Sequence, residues 1–148
     1  MKFTKMQGCG NDYVYINGFE EKVPQEKKEE LVRRLSERHF GIGSDGVIFI
    51  NPSKIADFEM EMYNADGSRA EMCGNGIRCV AKYVYDKKMT TEKEFTIESF
   101  EKIKHITIIE ENGIAKLIKV GMGQPELRTE KIPAIYDADM VISKPIEV

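Results

Sequence analysis

From Gly76 to about Lys87 the chain is apolar nearly all the way round, and this stretch constrains the fold more than any other. Ile77, Cys79, Val80, Ala81, Tyr83, Val84 and Tyr85 do not gather into one stripe at helical spacing. Charge is confined to Arg78, Lys82 and the closing Asp86-Lys87-Lys88. A helix with one apolar stripe lies on a surface, whereas one that is apolar on most sides must be surrounded. The rest of the chain offers strands to do this. Alternating, β-branched or aromatic runs stand at Lys2–Met6, Tyr13–Ile16, Val47–Ile50, Asp57–Asn64, Glu94–Glu98, Ile103–Ile109 and Ile114–Val120. Glu111-Asn112-Gly113 joins the last two and is a strong hairpin signal. The expected fold class is α+β, a mostly antiparallel β-sheet rolled around one central helix.

A second helix is expected from Pro24 to about Arg38, ending near the turn Gly41-Ile42-Gly43. Its apolar residues Leu31, Val32 and Leu35 form one stripe on a charged background, so it covers a surface with one face. Past Gly121 the texture changes to Gly-Met-Gly-Gln-Pro, and the closing Lys144-Pro145-Ile146-Glu147-Val148 reads as loop and extended strand. With no closing motif there, the expectation is a domain cut from something longer.

Composition excludes several function classes. The 148 residues carry 22 basic and 25 acidic side chains, a net charge of −3 that offers no electrostatic footprint for nucleic acid. No apolar run approaches the roughly 20 residues needed to cross a bilayer. Met1–Met6 lacks the apolar core and cleavage site of a signal peptide, which points to the cytoplasm. Three cysteines, Cys9, Cys73 and Cys79, make an odd count, which favours free thiols over a disulfide framework.

Cys73 is the thiol best placed for chemistry. It precedes Gly74-Asn75-Gly76 at the entry to the surrounded helix, where unpaired N–H groups and the positive end of the helix dipole favour an anion. Glycines at 74 and 76 let backbone N–H groups come close to a carboxylate or oxyanion. The bland alternative is a cysteine filling a tight turn. Cys79 lies within the helix and reads as core, and Cys9 as an incidental thiol in a glycine turn. The C-x5-C spacing of Cys73 and Cys79 matches no zinc pattern with His39 or His105. His39 reads as a cation at a helix C-terminus. Three further glycine turns, Gly8–Asp12, Gly41–Gly46 and Asn64–Gly67, each border an expected strand and are expected to converge at one end of the sheet. Asn11 and Asn64 there offer donors and acceptors that suit a zwitterionic ligand, although turn geometry alone also selects such residues.

Taken together these stretches resemble the N-terminal half of the diaminopimelate epimerase family. The likeness rests on Lys5-Met6-Gln7-Gly8-Cys9-Gly10-Asn11-Asp12, Arg38-His39-Phe40-Gly41-Ile42-Gly43-Ser44-Asp45-Gly46, Tyr63-Asn64-Ala65-Asp66-Gly67-Ser68 and Cys73-Gly74-Asn75-Gly76-Ile77-Arg78-Cys79. Gly121–Pro125 and Ile132-Pro133 also resemble it, so the likeness spans essentially the whole chain. Gln7, Cys9 and Gly46 depart from common family residues, and no role is carried onto Gly46.

The resemblance implies a reaction, the inversion of LL-diaminopimelate to the meso form in lysine and cell-wall synthesis. It implies a cofactor-independent isomerase in which neither pyridoxal phosphate nor a metal takes part. One cysteine thiolate removes the α-proton and a second thiol returns one from the opposite face. Cys73 would be one of these catalytic thiols. Asn11 and Asn64 would hold the distal end of the amino-acid substrate, and Gly74 and Asn75 would offer donors to the developing charge. The second cysteine belongs to a C-terminal domain absent from this chain. Residues 1–148 are therefore expected to be an N-terminal domain, inactive as an isolated fragment and in need of its missing half. Family members are commonly homodimers. The alternatives are a proline or hydroxyproline racemase or a phenazine-type isomerase of the same fold, or a non-catalytic binding domain.

Overall fold

The computed structural model describes residues 1–132, 135, 138–143 and 145. Strand β1 (Thr4–Gly8) turns back on β2 (Asn11–Asn17) through Cys9 and Gly10, both at positive φ (55° and 84°), the backbone that a tight hairpin requires. Helix α1 (Gln25–Ser36) crosses over to β3 (Gly46–Asn51), which lies parallel to β2. Strand β4 (Phe58–Asn64) returns antiparallel to β3 and carries a two-residue partner, β5 (Arg69–Ala70). Helix α2 (Gly74–Asp86) follows, then β6 (Glu94–Ser99), β7 (Lys102–Glu111) and β8 (Ile114–Val120). The strands form one sheet in the order β1-β2-β3-β4-β6-β7-β8, with β5 beside β4. Two pairings, β2 with β3 and β4 with β6, are parallel, and the others are antiparallel.

The sheet is rolled around α2. Its two edge strands, β1 and β8, both pack against that helix, as does β2. No residue of α2 is fully exposed, and Ile77, Val80, Ala81 and Val84 are completely buried. Inside the curl they meet Tyr13, Tyr15, Ile48, Ile50, Met60 and Met62. The residues between these on the same strands, Val14, Ile16, Val47, Phe49 and Tyr63, point outward beneath α1. Coverage of both faces is why Tyr13–Ile16 of β2 and Val47–Ile50 of β3 are apolar without interruption.

The surrounded helix, the hairpin at Asn112-Gly113 and the α+β architecture match the reading of the sequence. Boundaries differ. Helix α2 begins at Gly74, two residues earlier than expected, because Cys73 caps it. Helix α1 ends at Ser36, and β1 begins at Thr4. The buried face of α1 holds more than the expected stripe. Val32 is completely buried and Leu31 and Leu35 pack partly buried against the same cluster, and Lys28 and Ser36 are buried with them. The reason lies underneath, where the outer face of β4 presents Glu61 and Tyr63. Lys28 Nζ donates to Glu61 Oε2 at 2.5 Å, and Asn51 and the Tyr63 hydroxyl donate to the same carboxylate. Beyond β8 the described chain has a 3-10 turn at Thr129–Lys131 and an isolated bridge between Arg128 and Met140. Most of the strand-like close expected at 144–148 lies outside the described residues. Among the described residues no helix is long and apolar enough to cross a membrane.

Candidate active site

Cys73 occupies the N-cap of α2 in extended conformation, and its Sγ accepts the Gly76 N–H at 3.2 Å. A sulfur so placed does what a serine or aspartate does at other N-caps. The N–H groups of Gly74 and Asn75, in the same first turn, have no intrahelical acceptor. Two glycines bring the backbones here close to their neighbours. A Cβ on Gly76 would stand 2.7 Å from Ile48 Cδ1, and one on Gly8 would stand 3.3 Å from Asn75 Cβ.

The thiol donates to Asn11 Oδ1 at 3.2 Å, and Asn11 Nδ2 donates to Asp45 Oδ2 at 2.7 Å. Asp45 is the hub of the converging loops. Its N–H donates to Asp12 O, its carbonyl accepts from Ala65 N–H, and its carboxylate accepts from Asp12 N–H and from Arg38. Arg38 Nη2 reaches Asp12 Oδ1 and Asp45 Oδ1, each at 2.8 Å, and Lys5 Nζ lies 3.0 Å from Asp12 Oδ2. Gly46 follows at once. A Cβ there would come within 2.0 Å of Tyr63 O and 2.9 Å of Tyr13 Cε1, so a bare backbone makes room for the Tyr13 ring.

Two tyrosines stand behind the thiol. Tyr13 is buried, and burial pushes its phenol up, with the sulfur of Cys73 beside it adding to the rise. Tyr15 lies deeper against Cys79, and burial raises its phenol as well. Its hydroxyl is buried without a hydrogen-bond partner among the described residues.

The hydrogen bonds from Arg38, with those from Lys5, hold the Asp12 carboxyl down to about 2, against the opposing effect of burial. A carboxylate whose folded value is depressed stabilises the fold at pH above its unfolded value, near 4, and loses that contribution as pH falls towards 2. Replacing Asp12 with asparagine should therefore remove part of the acid sensitivity. Stability measured in urea should fall less between pH 4 and 2 than in the unaltered chain, and an unchanged acid limb would refute the role of this cluster.

The structure thus brings Cys73, Asn11, Gly74 and Asn75 together. Asn75 Oδ1 accepts from Arg78, whose guanidinium lies over the first turn of α2. Asn64 sits on the adjoining turn. It is exposed, and its carboxamide donates to Ser68 Oγ at 3.0 Å. Arg33 clamps that turn to α1 by donating to Asp66 O. Cys9 is exposed at the β1–β2 hairpin, Cys79 is core, and His39 lies past α1 against Glu37. Sequence reasoning missed Asp45, Arg38 and Tyr13. An aspartate between glycines reads as a turn former, and its partners Asp12 and Asn11 lie 33 and 34 residues away. Among the described residues no group of three or more His, Cys, Asp or Glu side chains is placed to hold a metal.

The model of the family described as diaminopimelate epimerase matches residues 3–128. The chain belongs to that family. A diaminopimelate epimerase of Acetivibrio thermocellus is 51% identical over 148 residues, all of this chain and 52% of the relative. One of Methanococcus maripaludis is 52% identical over 146 residues, 99% of this chain and 52% of the relative. The chain therefore spans about half the length of these family members. Among solved structures, a methylitaconate-delta-isomerase superposes on 77% of this chain and 35% of its own, with TM-score 0.65 and 17% identity. A hydroxyproline epimerase from Agrobacterium vitis covers 80% of this chain and 40% of its own, with TM-score 0.57 and 14% identity. Likeness at that level establishes the rolled sheet and central helix as a shared fold and carries no substrate with it.

Proposed function

We propose that this chain is the first of two domains of a diaminopimelate epimerase and supplies one thiol and one wall of the site. The observation that carries this reading is the setting of Cys73. It caps a buried helix, in hydrogen-bonding contact with an amide N–H on one side and Asn11 on the other. As a thiolate, Cys73 takes the α-proton of the amino acid, and the electron pair passes into the adjoining carboxylate. The free N–H groups of Gly74 and Asn75, at the positive end of α2, are the donors for that charge. A thiol on the opposite face, supplied by the second domain, returns a proton to the α-carbon and becomes a thiolate in turn. Neither pyridoxal phosphate nor a metal is needed in this scheme. Asn64 contributes from the neighbouring turn once it is released from Ser68. The two-domain reading agrees with the length of the relatives, of which this chain covers about half.

Exchange of the α-proton tests this. The chain is incubated with LL-diaminopimelate in D2O, alone and with the C-terminal half of the Acetivibrio thermocellus relative, and loss of the α-H signal is followed by NMR. Exchange is expected with the second half present, and Cys73→Ala should abolish it, a loss of at least about a hundredfold for removal of an acid–base group. Exchange that survives in Cys73→Ala would remove this residue from the chemistry. A chain that retains its fold, pairs with the added half and still shows no exchange would remove the substrate assignment.

A further inference from the structure

Cys73 receives two hydrogen-bonding instructions of opposite sense. The Gly76 N–H points at the sulfur and favours a thiolate. Asn11 presents oxygen, an acceptor, and favours the protonated thiol. A carboxamide can turn over and present nitrogen instead, so something must choose between its two faces. The choice is made at the other end of the amide. Asn11 Nδ2 lies 2.7 Å from Asp45 Oδ2, and an ionised carboxylate only accepts. Turning Asn11 over would set its oxygen against that carboxylate. Asp45 is itself held by Arg38 at 2.8 Å and by its backbone bonds to Asp12 and Ala65.

We infer that Asp45 is a positioning residue that locks the Asn11 carboxamide with its oxygen toward Cys73, so that the thiol rests protonated and gives up its proton only when Asn11 is drawn away. This rests on the epimerase reading for its meaning: an arriving amino acid that engages Asn11 would release the sulfur to become the base. The other polar and ionisable groups around the sulfur are Tyr13 and Tyr15 from β2 and Arg78 and Cys79 from α2, with Asp12 and Arg38 behind Asp45. Of these, Tyr13 also meets the Asn11 side chain and the sulfur, but only Asp45 presents a carboxylate to the Asn11 amide nitrogen.

The test reads the thiol directly, without substrate, so its failure would leave the epimerase assignment untouched. The 148-residue chain is alkylated with iodoacetamide from pH 6 to 10, and the tryptic peptide Ala70–Arg78, in which Cys73 is the sole cysteine, is followed by mass spectrometry. In Asp45→Asn, Asn11 is free to offer its nitrogen to the sulfur. Alkylation at pH 7 should rise about tenfold, the scale of one hydrogen bond to a charged group, with the rate at pH 10 unchanged. In an Asn11→Leu background the same Asp45→Asn change should do nothing, because the lever is gone. Equal acceleration in both backgrounds would mean that Asp45 acts by its charge alone, and acceleration in neither would mean that the amide orientation has no influence. Both results overturn the inference. Should Asp45→Asn fail to fold, amide spectra of the unaltered chain serve instead. The Asn11 side-chain NH2 should follow titration of a carboxylate in acid more than ionisation of a thiol in base, and the reverse order overturns the proposal.

Discussion

Replacing Val80 with aspartate should leave a chain with no cooperative unfolding transition. Val80 is completely buried at the centre of α2, inside the curl of the sheet. An ionised carboxylate there would have no counter-charge, and even after relaxation such a burial costs several kcal/mol. That is comparable to the whole stability of a domain of this size, roughly 5–15 kcal/mol. The alternative, expelling α2 from the curl, would expose Ile48, Met60 and Ile97 together with the helix. Loss of near-ultraviolet circular dichroism and of a sharp melting transition is expected. A variant that melted within a few degrees of the unaltered chain would show that the sheet does not enclose the helix.

The second large effect concerns the outer face. Glu61 and Lys28 are 5% and 8% exposed, and the carboxylate gathers hydrogen bonds from Lys28, Tyr63 and Asn51. Removing one member of a buried ion pair costs about 3–5 kcal/mol, because the other charge is left without a partner. Glu61→Ala should therefore lower the melting temperature by roughly 10–15 °C, on the usual scaling for a chain of this length. Replacing both residues with apolar ones, Lys28→Met with Glu61→Leu, should recover most of the loss. The pH dependence has a definite sign. Burial would raise the Glu61 carboxyl, but its hydrogen bonds to Lys28, Tyr63 and Asn51 outweigh that and hold it below the usual range. Its contribution is present above the unfolded value, near 4, and is lost as pH falls through the folded one. Glu61→Ala should flatten that part of the acid limb. A melting temperature unchanged by Glu61→Ala would show that the pair does not anchor α1.

Much of this architecture was legible along the chain, for reasons local to it. Asn112-Gly113 marks a hairpin because both residues tolerate the positive φ they adopt, 54° and 77°. The period of the strands and the all-round apolarity of α2 follow from which sides are covered. Cys73 stood out because its neighbours are glycines at a helix entry, and its role as N-cap is a local consequence of that spelling. Local pattern was less informative where the partner is distant. The stripe of Leu31, Val32 and Leu35 on α1 was legible from its spacing, but the burial of Lys28 beside it was not, because its partner Glu61 lies 33 residues beyond. Strand β5, two residues long, has too little pattern to be seen.

The amino-acid sequence by itself determined the class of fold, the family, and the residue that offers a thiol at a helix N-terminus. Each depends on neighbours within a turn or two, or on motifs whose spelling is specific. The tertiary structure alone decided what that thiol faces. The chain Arg38–Asp45–Asn11–Cys73 joins three loops separated by up to 62 residues, and its hydrogen bonds exist only once β2 pairs with β3 and α2 lies across them. A hydrogen bond depends on distance and direction in space, and no spacing along the chain encodes either when the partners lie on different strands.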